Sequence, residues 1–242
     1  MKIPSLEEML QAGAHFGHKK SRWHPKMQPF IFGERHGIHI LNLEETQKQL
    51  ESVLGQVKQM AKEGKTILFV STKPQAREIV KSAALECGAP YLTDRWLGGM
   101  LTNFPEVKRL VKKYLRLKEE QATGELEKYT KKERLEIGKE ITKMETYLGG
   151  LATLEKLPDA LFIPSVQQEK TAMKESRAMN VAVIGVCDSN ANPRFVEYVI
   201  PANDDAVKSI TMMTNLVSVA IKEGKAEREK AMKESGSGKK EE

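Results

Sequence analysis

A three-layer α/β domain built on a parallel sheet and interrupted by an antiparallel helical hairpin is the fold class predicted by this 242-residue sequence. Three observations carry it. Four short, apolar, largely β-branched runs at 66–73 (TILFVSTK), 159–165 (DALFIPS), 181–188 (VAVIGVCD) and 198–201 (YVIP) read as strands buried on both faces. Amphipathic segments at 44–62, 74–86, 167–179 and 204–222 alternate with them, which predicts helices covering both sides of the sheet. Between Pro105 and Gly150 the alternation stops and a period near 3.5 takes over.

The elements follow in order. PFIFGERHGIHILNL places Gly33 and Gly37 around a turn between two apolar arms, a hairpin or strand pair ahead of the main domain. In the interruption, Val107, Leu110, Tyr114 and Leu117 form one heptad seam, and Ile137, Ile141, Met144, Leu148 and Leu151 form another. QATGELEKY is the reversal between them, and TKKE at 130–133 resembles a capping box opening the second helix. The expected division is a discontinuous α/β domain over 1–104 and 151–223, a protruding coiled-coil hairpin over 105–150, and a charged, disordered tail over 224–242.

Composition narrows the function. A net charge of +6 and a pI near 9.1 favour an anionic partner. Glu7 and Glu8 stand where a signal peptide needs an apolar run, and no stretch approaches a membrane span, so the expected compartment is the cytoplasm and no membrane partner is expected. Cys87 and Cys187, a hundred residues apart and in no metal or redox motif, read as buried free thiols. A nucleotide-dependent Rossmann-like enzyme with a helical lid is the rival reading. EGKT at 63–66 resembles the end of a phosphate loop, but Gln59 stands where the first glycine belongs and the motif precedes its strand instead of following it. STKPQA after TILFV carries no dinucleotide fingerprint. With no nucleophile or zinc-protease motif either, no catalytic residue and no small-molecule substrate is expected.

Cations are concentrated in two places. Between His18 and Arg35, five of them (Lys19, Lys20, Arg22, Lys26 and Arg35) oppose Glu34 and are interleaved with Trp23, Phe30 and Phe32. Phosphate-binding cations beside a ring able to stack on a base are the combination RNA recognition uses. The phenylalanines read instead as core. From Pro105 to Lys118, Lys108, Arg109, Lys112, Lys113, Arg116 and Lys118 oppose Glu106 alone, a stripe able to track phosphates or simply a solvated helix face.

No cofactor is required by any of these patterns. A divalent metal ion could be held if the N-terminal segment folds over the carboxyl edge of the sheet, where His18 would meet Asp188 and Asp205. The plainer reading is that the aspartates cap turns and helices, with Asp204 beginning the last helix.

LEEMLQAGAHFGHKKSRWHPKMQPFIFGERHGIHILNL, DRWLGGMLTNF at 94–104, PDALF at 158–162 and VIPANDDAVKSI at 199–210 resemble, in unbroken order, the bacterial form of the small-ribosomal-subunit protein family uS2. The resemblance implies a flavodoxin-like α/β domain with a protruding helical hairpin. It implies binding to small-subunit ribosomal RNA near the junction of head and body, contact with other small-subunit proteins, and docking of ribosomal protein number one. Carried onto this chain, it singles out His15, His18, Arg22, Trp23, Pro25, Lys26 and Arg35, then Arg95, Trp96, Gly98, Gly99, Thr102 and Asn103. Gly98 and Gly99 would permit a positive φ or close approach before the first arm helix, which Thr102 or Asn103 would cap, and Arg95 would touch RNA or a carboxylate at the arm's root. Ser165 departs from the family pattern at a commonly acidic position.

Overall fold

The computed structural model describes residues 2–237. Ser5 opens α1 (Leu6–Gln11) with a reciprocal capping box to Glu8. A three-stranded antiparallel sheet follows, β1 (Phe16–Lys19), β2 (Ile31–Arg35) and β3 (Ile38–Leu41), in the order β1-β3-β2. The expected hairpin is β2–β3, turned at His36 and Gly37, whose φ values of 52° and 75° are both left-handed. The partner β1 was not anticipated, because HFGHKK has no alternating pattern.

The main sheet is five-stranded and parallel throughout: β4 (Ile67–Val70), β5 (Tyr91–Leu92), β6 (Ala160–Ile163), β7 (Ala182–Cys187) and β8 (Tyr198–Pro201), in the order β5-β4-β6-β7-β8. The two-residue β5 is too short to show in sequence. Strand periodicity sorts the core. Ile67 and Phe69 join Phe162, Ile184 and Ile200 on one face, under α2 (Leu43–Lys62), α3 (Arg77–Cys87) and α7 (Val207–Ser237). Leu68 and Val70 join Leu161, Ile163 and Val183 on the other, under α6 (Lys170–Met179) and the root of the arm. The layers are those the sequence predicts. Cys87 and Cys187 are buried free thiols, and burial pushes both thiols up.

The arm consists of α4 (Phe104–Thr123) and α5 (Lys131–Leu148), reversed at Gly124. Thr130 and Glu133 form the expected capping box. The seam of α4 is centred on Val107, Val111, Tyr114 and Leu117, with Leu110 only half-buried. Leu110 and Val111 flank one stripe, and periodicity locates a stripe more surely than its midline.

The segment from 224, expected as a disordered tail, continues α7 as far as Ser237; residues 238–242 lie outside the described residues. Its Lys, Ala, Glu and Arg residues are strong helix formers, and Glu227 pairs with Lys58 at 2.7 Å and Lys62 at 3.5 Å on α2. Asp204 does not start that helix. Asn203 makes the turn, its Oδ1 accepting the backbone N–H groups of Asp205 and Ala206, because Asp204 is drawn into the interior. Among the described residues no helix is long and apolar enough to cross a membrane.

Candidate nucleic-acid interface

Strand order reverses between β4 and β6, and the carboxyl ends flanking that point are where open α/β sheets take their ligands. Here the chain's own side chains fill the place. Lys73, just past β4, lies 3.0 Å from Asp204 Oδ1 and 2.7 Å from Asp205 Oδ1, and its Nζ also donates to the Asp204 carbonyl. Ser165, past β6, donates to Asp204 Oδ2 at 2.6 Å. Thr72 donates through its N–H and its hydroxyl to the buried Glu169 carboxylate. The serine at the commonly acidic position thus supplies a donor where another acid would face Asp204.

His18 closes the cluster. Its Nδ1 lies 3.1 Å from Asp188 Oδ2 and its Nε2 3.2 Å from Asp205 Oδ2. The Asp188 carboxylate, against the opposing cost of burial, raises the imidazole pKa, so both nitrogens carry protons toward acids over a wider pH range. Burial, with Asp188 beside it, raises Asp204. At Asp205 burial pushes the carboxyl up, but Lys73 and His18 together outweigh it and hold the carboxyl below its usual range. The fold therefore brings together the three residues considered for a metal, and donor atoms of His18, Asp188 and Asp204 lie within 4.8 Å of one another. The same geometry removes His18 from the RNA-facing set, since both its ring nitrogens are turned inward.

The rest of the front motif is stitched to this edge through its backbone. Ser189 Oγ accepts the His18 N–H at 2.7 Å, Ser189 O accepts the His24 N–H at 2.8 Å, and Ala14 O accepts the Asn203 N–H at 3.0 Å. Gly17 is required there, because a Cβ would stand 2.8 Å from Ser189 Oγ. With the backbone held, Lys19, Lys20, Arg22, Lys26 and Arg35 point to solvent, and among the described residues only Lys20 has an acid partner, Glu34 at 2.8 Å. Trp23 is half-buried, its ring 5.1 Å from that of His39. His15 packs on Phe16 with ring centroids 4.0 Å apart, and burial keeps its pKa low, which suits a neutral ring better than a phosphate ligand. Phe30 is half-buried as expected of core, but Phe32 is 77% exposed: on an edge strand of a small sheet, its side of the pleat faces no second layer.

The second motif forms the root of the arm. Glu175 on α6 accepts from Trp96 Nε1 (2.9 Å), Gly99 N (2.9 Å), Leu101 N (3.0 Å), Thr102 N (3.3 Å) and Thr102 Oγ1 (3.3 Å). Burial works against the charge, yet these donors together hold the carboxyl below its usual range. Gly99 has φ 83°, one of the two roles expected of the glycine pair, whereas Gly98 has neither a positive φ nor a neighbour within 4 Å of a built Cβ. Asn103 stands at the start of α4 without a side-chain cap, and Thr102 is turned to Glu175, so neither caps the helix. Arg95 is exposed and lies over the Tyr147 ring at 5.1 Å; among the described residues no carboxylate meets it. Glu175 and Lys73 had no signal in sequence, being single charged residues in a charged chain.

Along α4 the cations are less available than their number implies. Lys108 donates to Glu155 O at 2.7 Å, Arg109 meets Glu106 at 2.6 Å, Lys113 meets Glu140 at 2.7 Å, Arg116 meets Glu120 at 3.5 Å and Lys118 meets Glu145 at 2.7 Å. Among the described residues of α4, Lys112 alone of these cations has no such partner.

A parallel sheet whose ligand crevice is filled by internal ion pairs, flanked by a backbone-anchored loop of solvent-facing cations, defines an α/β protein with a surface suited to an anionic partner. Residues 9–224 match the sequence profile of the family described as Ribosomal protein S2, and the chain belongs to that family. It is 41% identical over 229 residues to "Small ribosomal subunit protein uS2" of Coprothermobacter proteolyticus, covering 95% of this chain and 85% of that one. It is 44% identical over 225 residues to the protein of the same name from Dictyoglomus thermophilum, covering 93% and 92%. The chain is accordingly a structural constituent of the small subunit of the cytoplasmic ribosome, serving translation, and not an enzyme.

Proposed function

We propose that this protein grips small-subunit ribosomal RNA at two places and holds neighbouring proteins on its α/β body. The front loop supplies Lys19, Lys20, Arg22, Lys26 and Arg35 to phosphates, with Trp23 and the exposed Phe32 as stacking surfaces. The root of the arm supplies Arg95, and the arm adds Lys112 and, through pairs weak enough to exchange, its neighbours. Trp96, Thr102 and Asn103 position the root. Docking of ribosomal protein number one on the body belongs to the same proposal, as does the division into a discontinuous body and an arm over 105–150.

The observation that carries the proposal is the front loop, whose backbone is fixed to Ser189 while its cations are left in solvent. A cation among His18, Asp188 and Asp205 is not part of it, because the Lys73 ammonium already supplies positive charge to that acid cluster. The test is a titration against small-subunit ribosomal RNA over a range of salt. Affinity should fall steeply, and Arg22→Ala with Lys26→Ala should lower the slope of log affinity on log salt by about 2. A salt-insensitive affinity would refute it.

A further inference from the structure

The capping and pairing of the arm's acids leave one of its faces with unbalanced charge. Of the four acids on α5, Glu133 serves the capping box, Glu140 meets Lys113 and Glu145 meets Lys118, which leaves Glu136 as the one acid without such a partner among the described residues. Lys131, Lys132, Arg134, Lys139 and Lys143 are exposed and, among the described residues, pair with no acid. The mixed composition of this helix conceals in sequence what the pairing reveals: α4 carries more cations, but α5 keeps more of them free.

Arg134, Leu135, Gly138, Lys139, Thr142 and Lys143 line an open groove along α5, completed by Thr146 and by Gln121 of α4. Those on α5 form two rows at four-residue steps, 134, 138, 142 and 135, 139, 143, so they share one side of the helix, away from the seam of Ile137, Ile141, Met144 and Leu148. Two local costs on this surface have no return inside the molecule. Gly138 is in the interior of the helix, where glycine is disfavoured, yet a Cβ there would meet nothing within 4 Å, so no neighbour in the chain requires its absence. Lys131 and Lys132 open α5, where the helix dipole is positive and cations are disfavoured. Natural chains break local rules chiefly at sites that serve something else. Thr142 turns its hydroxyl back to Gly138 O at 3.0 Å, which keeps that wall small.

We propose that this groove on α5, more than the cation-rich face of α4, receives a phosphodiester backbone of folded RNA, with Gly138 as the point of closest approach. The inference rests on the RNA-binding reading above and names the surface that the arm uses. A phosphate backbone is favoured over an acidic protein segment because Arg134, Lys139 and Lys143 span about two and a half turns of helix, and no acid lines the groove to set a protein's charge pattern. Leu135, 60% exposed, offers an apolar contact to a sugar face.

The experiment uses the full chain and a small-subunit ribosomal RNA transcript, with affinity measured at several salt concentrations. Three variants are compared with the parent: Arg134→Gln/Lys139→Gln/Lys143→Gln, Lys112→Gln, and Gly138→Ala. The triple variant should lower the salt slope by roughly 2 to 3, about one per lost phosphate contact, while Lys112→Gln lowers it by no more than about 1. Gly138→Ala should raise the unfolding temperature, since alanine is the better helix former, and still weaken binding several-fold. That opposite pair of effects excludes misfolding as the cause. A triple variant that binds with parental affinity and slope, while Arg22→Ala/Lys26→Ala is impaired, overturns the inference and leaves the wider reading intact. Parental binding by all variants, together with no salt dependence, overturns both. A triple variant that binds RNA normally but fails to enter small-subunit particles assigns the groove to a protein and also overturns the inference.

Discussion

Glu175 shows how much one side chain can organise. Its carboxylate gathers five donors from the loop between β5 and α4, and burial at 9% exposure makes each of them costly to leave unpaired. Glu175→Gln keeps the shape, but turns an NH2 group toward N–H donors. We expect a loss of about 2 kcal/mol at neutral pH, read by urea unfolding. The pH dependence has a definite sign. A carboxyl held below its ordinary value of 4.5 contributes its stability in full above that value and loses it as pH falls through the folded pKa. The gap between parent and Gln variant should therefore narrow on going from pH 7 to below about pH 4. A gap constant with pH would mean that the charge is irrelevant. Ser165 teaches the converse lesson: in sequence it is a missing acid, whereas in the fold its hydroxyl serves Asp204 at 2.6 Å, beside a lysine that carries the charge.

Elements were legible where their signals are local. The capping box of Thr130 and Glu133, the β2–β3 turn, and the apolar runs of β4, β6, β7 and β8 are all defined within a few residues of themselves. The closeness of two helices is not. Helix α7 lies against α2 so tightly that a Cβ on Gly224 would stand 2.3 Å from the Lys58 carbonyl oxygen and 2.7 Å from Ala61 Cβ. Helix propensity alone would reward Gly224→Ala by about 1 kcal/mol. Overpacking at a backbone contact costs about 1–3 kcal/mol, so the clash should win and the unfolding temperature should fall by several degrees. A rise would show that the two helices separate at little cost. The contrast with Gly138, where the same change meets open space, turns on the neighbour and not on the residue.

At the scale of the whole molecule, the arm is less separable than its sequence boundaries imply. Val107, Val111, Leu148 and Leu151 belong to the same buried cluster as Leu68, Leu161 and Val183 of the sheet, together with Met100, Leu101 and Leu154 beneath the root. Removing residues 105–150 should uncover that face and lower the unfolding temperature markedly. Replacing only 115–142 by a short Gly-containing turn should change it by a few degrees, because the root stays packed. Equal effects of the two deletions would mean that the arm's base contributes nothing to the body.

The sequence by itself determined the layered α/β architecture, the arm and its cap, the absence of a phosphate loop, and the family, because these depend on periodicity, turn chemistry and contiguous motifs, all read over short stretches of chain. Tertiary structure alone decided which charges remain available. His18 turned inward to Asp188 and Asp205, four of the six cations of α4 met acids, those of α5 met none among the described residues, and Glu175 became the fastening of the arm. The reason is that a charge acts through its nearest opposite charge, and pairs such as His18 with Asp188 are drawn together from distant parts of the chain only when the sheet assembles.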